Sequence, residues 1–294
     1  MLKHMLIIIL IIIAAFLILL RLHNKIKNGG MLKSEKRSYK SEKKTYISWF
    51  DLQIEKFPDG KDFMTPKENP ELLTFFSTAL SINNGVNLND FHFTKTSIFS
   101  TTAQDYSEEI INYMATNLCK DSSSFELKLR SLQALTLTDG TSCIGSDTIL
   151  MAHYFKHVNA IEYDKTNYDA LVHNISLFPA VKDKITSYHG DFTIVSKTLN
   201  QDVVFLDPPW GGLDYKEQSY ITLYLSNIPV QEIVSQIPSA FFLKVPVNFN
   251  FNEYNNFLRS NFNRYSKSTY VHNFKNKQKI KFILVYTSKA PPKK

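Results

Sequence analysis

Six consecutive residues, Asp207-Pro208-Pro209-Trp210-Gly211-Gly212, concentrate more chemistry than any other stretch of this chain. Two prolines fix the backbone and lack N–H groups, so their carbonyls point in set directions rather than joining a helix or sheet. Asp207 offers a carboxylate acceptor. Trp210 offers a face on which a base can stack, worth about 1–3 kcal/mol. Together they suit an exocyclic amine on a purine, a poor nucleophile because its lone pair is conjugated into the ring. Hydrogen bonds to its N–H groups can hold that lone pair toward a methyl donor and stabilise the positive charge that develops. The work is positional and calls for no metal, and no His/Cys cluster in the sequence has metal-ligand spacing. The bland alternative is a structural Pro-Pro turn with a buried Trp.

Three other loops carry polar groups at suggestive places. Asp139-Gly140-Thr141-Ser142-Cys143-Ile144-Gly145-Ser146-Asp147 is rich in small residues that let a ligand approach the backbone. It does not match the G-x-G-x-x-G pattern of dinucleotide-binding loops. Glu162-Tyr163-Asp164 follows, with Glu162 23 residues beyond Asp139. A carboxylate there can accept both hydroxyls of a ribose, and strand alternation favours Glu162 over Asp164. In Gly190-Asp191-Phe192 the acid can meet an adenine amino group while Phe192 flanks the ring.

These loops need a frame to bring them together. Apolar runs at residues 132–137, 157–163, 184–188, 202–206, 240–245 and 279–287 read as strands, and residues 107–115, 148–154, 167–177 and 251–262 read as helices. Strands separated by helices imply an α/β fold with a doubly wound, mostly parallel sheet, which binds ligands at the carboxyl ends of its strands. All four loops fall at such ends. Upstream, residues 31–46 read as a Lys/Ser-rich linker, and one helix is expected over residues 70–82.

In this order the loops resemble those of the class I S-adenosylmethionine-dependent methyltransferases. Among these the chain most resembles the trimethylguanosine synthase family, which methylates N2 of the 7-methylguanosine cap. The resemblance rests on Asp139…Gly145, Gly190-Asp191-Phe192 and Pro208–Gly212, with Phe99-Ser100-Thr101-Thr102 upstream and Lys244-Val245-Pro246-Val247-Asn248 downstream. It covers roughly residues 95–290 and implies a Rossmann-like seven-stranded sheet. It also implies S-adenosylmethionine as cofactor, with Asp139 at its amino-acid end, Glu162 at the ribose and Asp191 at the adenine, and with Thr102, Gly145, Phe192 and Asp207 on the same side. Trp210 would stack on the positively charged 7-methylguanine. Asp207 and the Pro208 carbonyl would hold the amine, and Pro209 and Asn248 would border the substrate. Capped RNA is the implied partner, with basic residues of the N-terminal extension at its phosphates, and a monomer is expected. Two features depart from the family: Asp207 stands where Ser is more common, and the first loop holds fewer glycines. An adenine-N6 methyltransferase of RNA or DNA is the rival enzyme. A non-catalytic RNA-binding subunit is the rival of another class, although the retained Asp139, Glu162, Asp191 and Asp207 favour catalysis.

The 294 residues suffice for one well-cored domain plus an appendage. There are 34 Lys+Arg against 27 Asp+Glu, a net charge of +7, which suits an anionic partner; abundant Lys from biased composition would give the same figure. Two cysteines exclude a disulfide framework. Met5 to Leu20 is an unbroken apolar run of sixteen residues with its heavier basic flank behind it. It reads as a single N-terminal membrane anchor that leaves the rest facing the cytoplasm. Translation from Met31 would instead give a soluble protein. The domains expected are thus an anchor over residues 1–30, a linker and helical extension over 31–94, and a methyltransferase domain over 95–290.

Overall fold

Alternation along the strands dictates a sheet buried on both faces. In the computed structural model, Val203 and Phe205 point into one apolar cluster, while Val204 and Leu206 point into the other. All four are essentially inaccessible to solvent. The structure describes residues 53–289 apart from 79–82, 84, 120–123, 238 and 263. The expected anchor and linker lie outside the described residues, and among the described residues no helix is long and apolar enough to cross a membrane.

The strands of the main sheet are β1 (Thr136–Asp139), β2 (His157–Glu162), β3 (Ile185–His189), β4 (Val203–Leu206), β5 (Ala240–Val245), β6 (Arg264–Asn273) and β7 (Asn276–Lys289). They form one sheet in the order β3-β2-β1-β4-β5-β7-β6. The first five strands are parallel, with Thr138 beside Asn159 on one side and Val204 on the other. The strands β6 and β7 form an antiparallel hairpin joined to β5 through β7. Strand order reverses between β1 and β4, so the loops after these two strands open side by side.

The helices that flank the sheet include α1 (Gln104–Leu118), α2 (Ser146–Tyr154), α3 (Lys165–Ser176), α4 (Val230–Gln236) and α5 (Phe251–Phe262). On one face Ile110, Met114, Leu150 and Leu171 pack against Leu137, Val158 and Phe205. On the other, Ile233, Val234, Tyr254 and Leu258 pack against Leu243 and Val285. Each such side chain contributes roughly 1.5–3 kcal/mol by leaving water.

Three expectations shift. The apolar run at 132–137 begins as a 3-10 turn, Leu132–Ala134, and only Thr136–Asp139 is strand. The helix expected over 70–82 is a 3-10 helix at Pro70–Phe75, and residues 79–82 lie outside the description. β6 was not foreseen, because its polar sequence lacks an apolar alternation. The segment before α1 joins the same core: Met64, Leu72, Phe91, Phe93 and Ile98 are buried with it. Asn174 of α3 ties it down, accepting from the His92 N–H and donating to the carbonyls of His92 and Ile144.

Candidate active site

The loop after β1 is held open by its neighbours. Gly140 has no room for a side chain: a Cβ would lie 2.3 Å from Phe192 and 2.4 Å from Leu206. Cys143 takes a left-handed backbone (φ 49), a strained choice for a non-glycine residue. That turn aims its N–H at Glu162, 2.7 Å away. Glu162 also accepts the Asp164 N–H at 2.8 Å, and burial raises its pKa above the usual carboxylate value against these bonds. Asp164 instead caps α3 by accepting from the Asn167 N–H. Of the two acids at the end of β2, Glu162 is therefore the one turned toward the first loop. A carboxylate has about four lone-pair sites, so acceptor capacity remains for a diol.

Asp139 lies beneath this loop rather than in its mouth. It is 1% exposed, and it accepts from the Thr148 hydroxyl at 2.5 Å and more weakly from the Thr141 N–H at 3.4 Å. Burial pushes its pKa up to about 7. Gly145 caps α2 with a positive φ of 93. The mouth itself is a cleft of about 320 Å3, part of it open to solvent. Thr141, Ser142, Cys143, Ile144, Ser146 and Asp147 line it from the first loop, Ser100, Thr101 and Thr102 from the segment before α1, and Asp207 from the loop after β4.

Asp207 and Lys244 meet in that cleft. Lys244 Nζ lies 2.5 Å from Asp207 Oδ2, with side-chain exposures of 8% and 14%, so this is a buried pair. Lys244 also donates to Thr102 Oγ1 at 2.8 Å, and Thr102 donates to Asp147 at 2.8 Å. The Ser107 hydroxyl of α1 donates to the other Asp147 oxygen. Burial pushes Asp207 up to about 6 even though Lys244 pulls it down. Burial lowers Lys244, but Asp207 and Asp147 outweigh it and hold the ammonium above its usual value. Both partners are charged at neutral pH. A lysine inside the run Ala-Phe-Phe-Leu-Lys-Val was the available signal, since a charge in a buried strand must find a partner. Asp147 closes the first loop in the sequence, where nothing marks it for a place in the cleft.

The loop after β4 follows the same logic. The Asp207 N–H donates to Thr141 Oγ1 at 2.8 Å, which locks this loop to the one after β1. Pro208 is buried and Pro209 exposed. The Trp210 ring is half-buried, with Lys244 Nζ 5.7 Å from its centroid and Tyr215 edge-on at 5.3 Å. Its indole N–H is buried beside Asp207 without closing a well-aligned hydrogen bond. Asn248 donates to the carbonyls of Tyr215 and Gln218, pinning the chain after Trp210, and its buried Oδ1 has no partner. On the far side Asp191 caps the turn Phe192–Val195 and accepts from Thr193 and from the Ser226 hydroxyl. Burial raises its pKa, but those bonds prevail and hold it below the usual carboxylate value. Phe192 is 4% exposed and packs across Gly140. Two orphaned buried polar atoms beside Trp210, and a diol acceptor at Glu162, fit a nucleoside-bearing cofactor and a planar polar acceptor. Among the described residues no group of three or more His, Cys, Asp or Glu could hold a metal ion.

The family described as RNA cap guanine-N2 methyltransferase matches residues 135–290, a stretch that includes all four loops and just over half of the chain. The chain belongs to the RNA cap guanine-N2 methyltransferase family. It is a methyltransferase of the RNA-modifying type. The segment Phe99–Thr102 precedes the family match, yet three of its four residues line the cleft. An uncharacterized protein of Acanthamoeba polyphaga mimivirus is 29% identical over 173 residues, 55% of this chain and 68% of that protein. A trimethylguanosine synthase of Schizosaccharomyces pombe is 29% identical over 97 residues, 31% of this chain and 40% of that protein. Among solved structures, the T. thermophilus 16S rRNA N2 methyltransferase in complex with AdoMet and guanosine is 16% identical, with a TM-score of 0.43, covering 60% of this chain and 43% of that one. A precorrin-6y C5,15-methyltransferase of Geobacter metallireducens is 15% identical, with a TM-score of 0.38, covering 58% of this chain and 92% of that one.

Proposed function

We propose that the chain transfers a methyl group from S-adenosylmethionine to the exocyclic N2 of the 7-methylguanosine cap of RNA. The observation that carries this reading is the Asp207–Trp210 loop, set beside the first loop at the strand-order reversal and inside the segment matched to the cap guanine-N2 family. Bound S-adenosylmethionine supplies an electrophilic methyl carbon on a sulfonium. The amine lone pair would form the new N–C bond as the C–S bond broke, the sulfur would keep the bonding pair, and one N–H proton would pass to solvent. Asp207, ionised at neutral pH, accepts an N–H hydrogen bond through the oxygen that Lys244 does not occupy, and the Pro208 carbonyl accepts the second. Trp210 stacks on the cationic base, while Pro209 and Asn248 border it. Glu162 takes the ribose hydroxyls and Asp191 the adenine amine, with Phe192 alongside. Thr102 and Gly145 shape the mouth, and Asp139 sets the first loop from below.

Asp207 at the head of the loop favours one second reading, an adenine-N6 acceptor. Incubation with labelled S-adenosylmethionine and GpppA, m7GpppA, an adenine-containing RNA oligomer or duplex DNA decides between the two. Label in m7GpppA alone, recovered as N2-methylated guanine, is the expected result. Label on adenine would overturn the cap reading and keep the chemistry. No binding of S-adenosylhomocysteine at high micromolar concentration would overturn both.

A further inference from the structure

Charge is very unevenly spread along the chain. From Asn255 to Lys294 there is no Asp or Glu, against ten Lys and Arg, so the preceding residues are net acidic although the whole is +7. Four of the ten, Lys275, Lys277, Lys279 and Lys281, cluster where the hairpin of β6 and β7 turns. All four are exposed, and among the described residues none forms an ion pair. The turn is ordered rather than loose: Asn273 Oδ1 accepts from the Lys275 and Asn276 N–H groups, and Asn276 Oδ1 accepts from that of Gln278.

The tip is linked to the reaction loop by a line of ring–ring and ammonium–ring contacts. Phe274 is 47% exposed and stacks on Tyr106 at 4.5 Å. Tyr106 meets Phe282 edge-on at 5.8 Å, and Lys244 sits 5.2 Å from Phe282 and 5.7 Å from Trp210. Lys281 falls where the register of β6 and β7 slips, Val271 pairing with Phe282 but His272 with Ile280. The extra residue at such a bulge is re-aimed, and here its ammonium reaches 5.7 Å from the Tyr106 ring. Nearer the reaction loop, Lys216 Nζ lies 5.8 Å from the ring of Tyr215, which meets Trp210 edge-on.

We infer that the tip of the β6–β7 hairpin, through Lys275, Lys277, Lys279 and the exposed Phe274 ring, binds the single-stranded RNA that continues from the modified nucleotide. Unpaired lysines interleaved with amide side chains suit a phosphodiester backbone, and an exposed ring suits an unstacked base. The site is distinct from the pocket for the base, and its role in turnover rests on the RNA-methylation reading above.

The test compares the full chain with a Lys275→Gln/Lys277→Gln/Lys279→Gln variant and with a Lys67→Gln/Lys156→Gln/Lys182→Gln control of equal charge loss. Fluorescence anisotropy of a labelled, uncapped twelve-nucleotide RNA is read against salt concentration. Each phosphate contact contributes a log–log slope of about 0.7 for single strands, so the hairpin variant should lose about 2 from the slope. At low salt its affinity should fall at least tenfold, with the control unchanged. Its KM for a capped twelve-mer should rise while transfer to a capped dinucleotide stays the same. Equal slopes for variant and wild type, or an equal loss in the control, would overturn the proposal. The anisotropy result stands even if no cap is methylated, so the two readings fail separately.

Discussion

Replacing Lys244 with Met removes an ammonium of similar length and leaves Asp207 with no counter-charge. Removing one partner of a buried ion pair costs about 3–5 kcal/mol, because the other charge stays buried and uncompensated. The exposures of 8% and 14% place this pair in that class, and Asp147 adds a second negative charge nearby. In a domain of this size 1 kcal/mol moves Tm by about 2–4 °C, so the loss should be about 10 °C at pH 8. The pH dependence is the sharper signature. Asp207 has a folded pKa of about 6, above its ordinary 3.8. Its ionisation therefore weakens the fold as pH rises from 3.8 to about 6, and the effect levels off beyond that. Without Lys244 the folded value rises further, and the weakening continues past neutrality. The variant should be close to wild type at pH 5, where Asp207 is largely protonated in both, and far below it at pH 8. Asp207→Asn in the Lys244→Met background should restore more than half of the loss at pH 8. Thermal unfolding of the four proteins at both pH values is the assay. An equal loss at pH 5 and pH 8, with no rescue by Asp207→Asn, would refute the argument.

Three further outcomes are expected. Trp210→Ala removes a stacking face worth about 1–3 kcal/mol; kcat/KM for the capped acceptor should fall roughly ten- to a hundredfold while S-adenosylhomocysteine affinity changes less than twofold, and a matching loss of cofactor affinity in calorimetry would contradict this. Glu162→Gln replaces one carboxylate oxygen with a donor that faces the Cys143 or Asp164 N–H. Hydrogen bonds to charged groups are worth about 1.5–3 kcal/mol, so cofactor Kd should rise by one to two orders of magnitude with the fold retained by circular dichroism. Gly140→Ala drives a methyl into Phe192 and Leu206; such overpacking costs about 1–3 kcal/mol, so Tm should drop by several degrees and cofactor affinity should fall with it, whereas an unshifted Tm would mean the ring yields freely.

What could be read in advance depended on how each segment meets water. Residues 240–245 and 251–262 were delimited from sequence at the bounds the structure shows, because the strand is apolar at every position but Lys244 and the helix keeps one apolar stripe. β4 and its loop were equally plain, since Val-Val-Phe-Leu followed by Pro-Pro leaves the chain little choice. β6 went unread because only Arg264 and Val271 of its ten residues are buried. In the site, the residues quoted from the loops were legible as types at strand ends. The pairing of Lys244 with Asp207 was not, because the two lie 37 positions apart and only the parallel register of β4 and β5 brings them together. Nor could sequence tell that Asp139 would sit under its loop while Asp147 lines the mouth.

β6 closes one side of the sheet, and among the described residues no strand lies beyond it. An uncovered row of backbone amides there would be a template for self-association into fibrils. Ser266, Lys267, Ser268 and Thr269 make that border short of apolar side chains, and the Lys267 carbonyl is already taken by the Tyr113 hydroxyl. Register slips near the turn bend the remaining edge out of line. The polarity that hid this strand from a hydrophobic pattern thus doubles as protection against aggregation, so a Lys267→Ile change would threaten solubility before it threatened the fold.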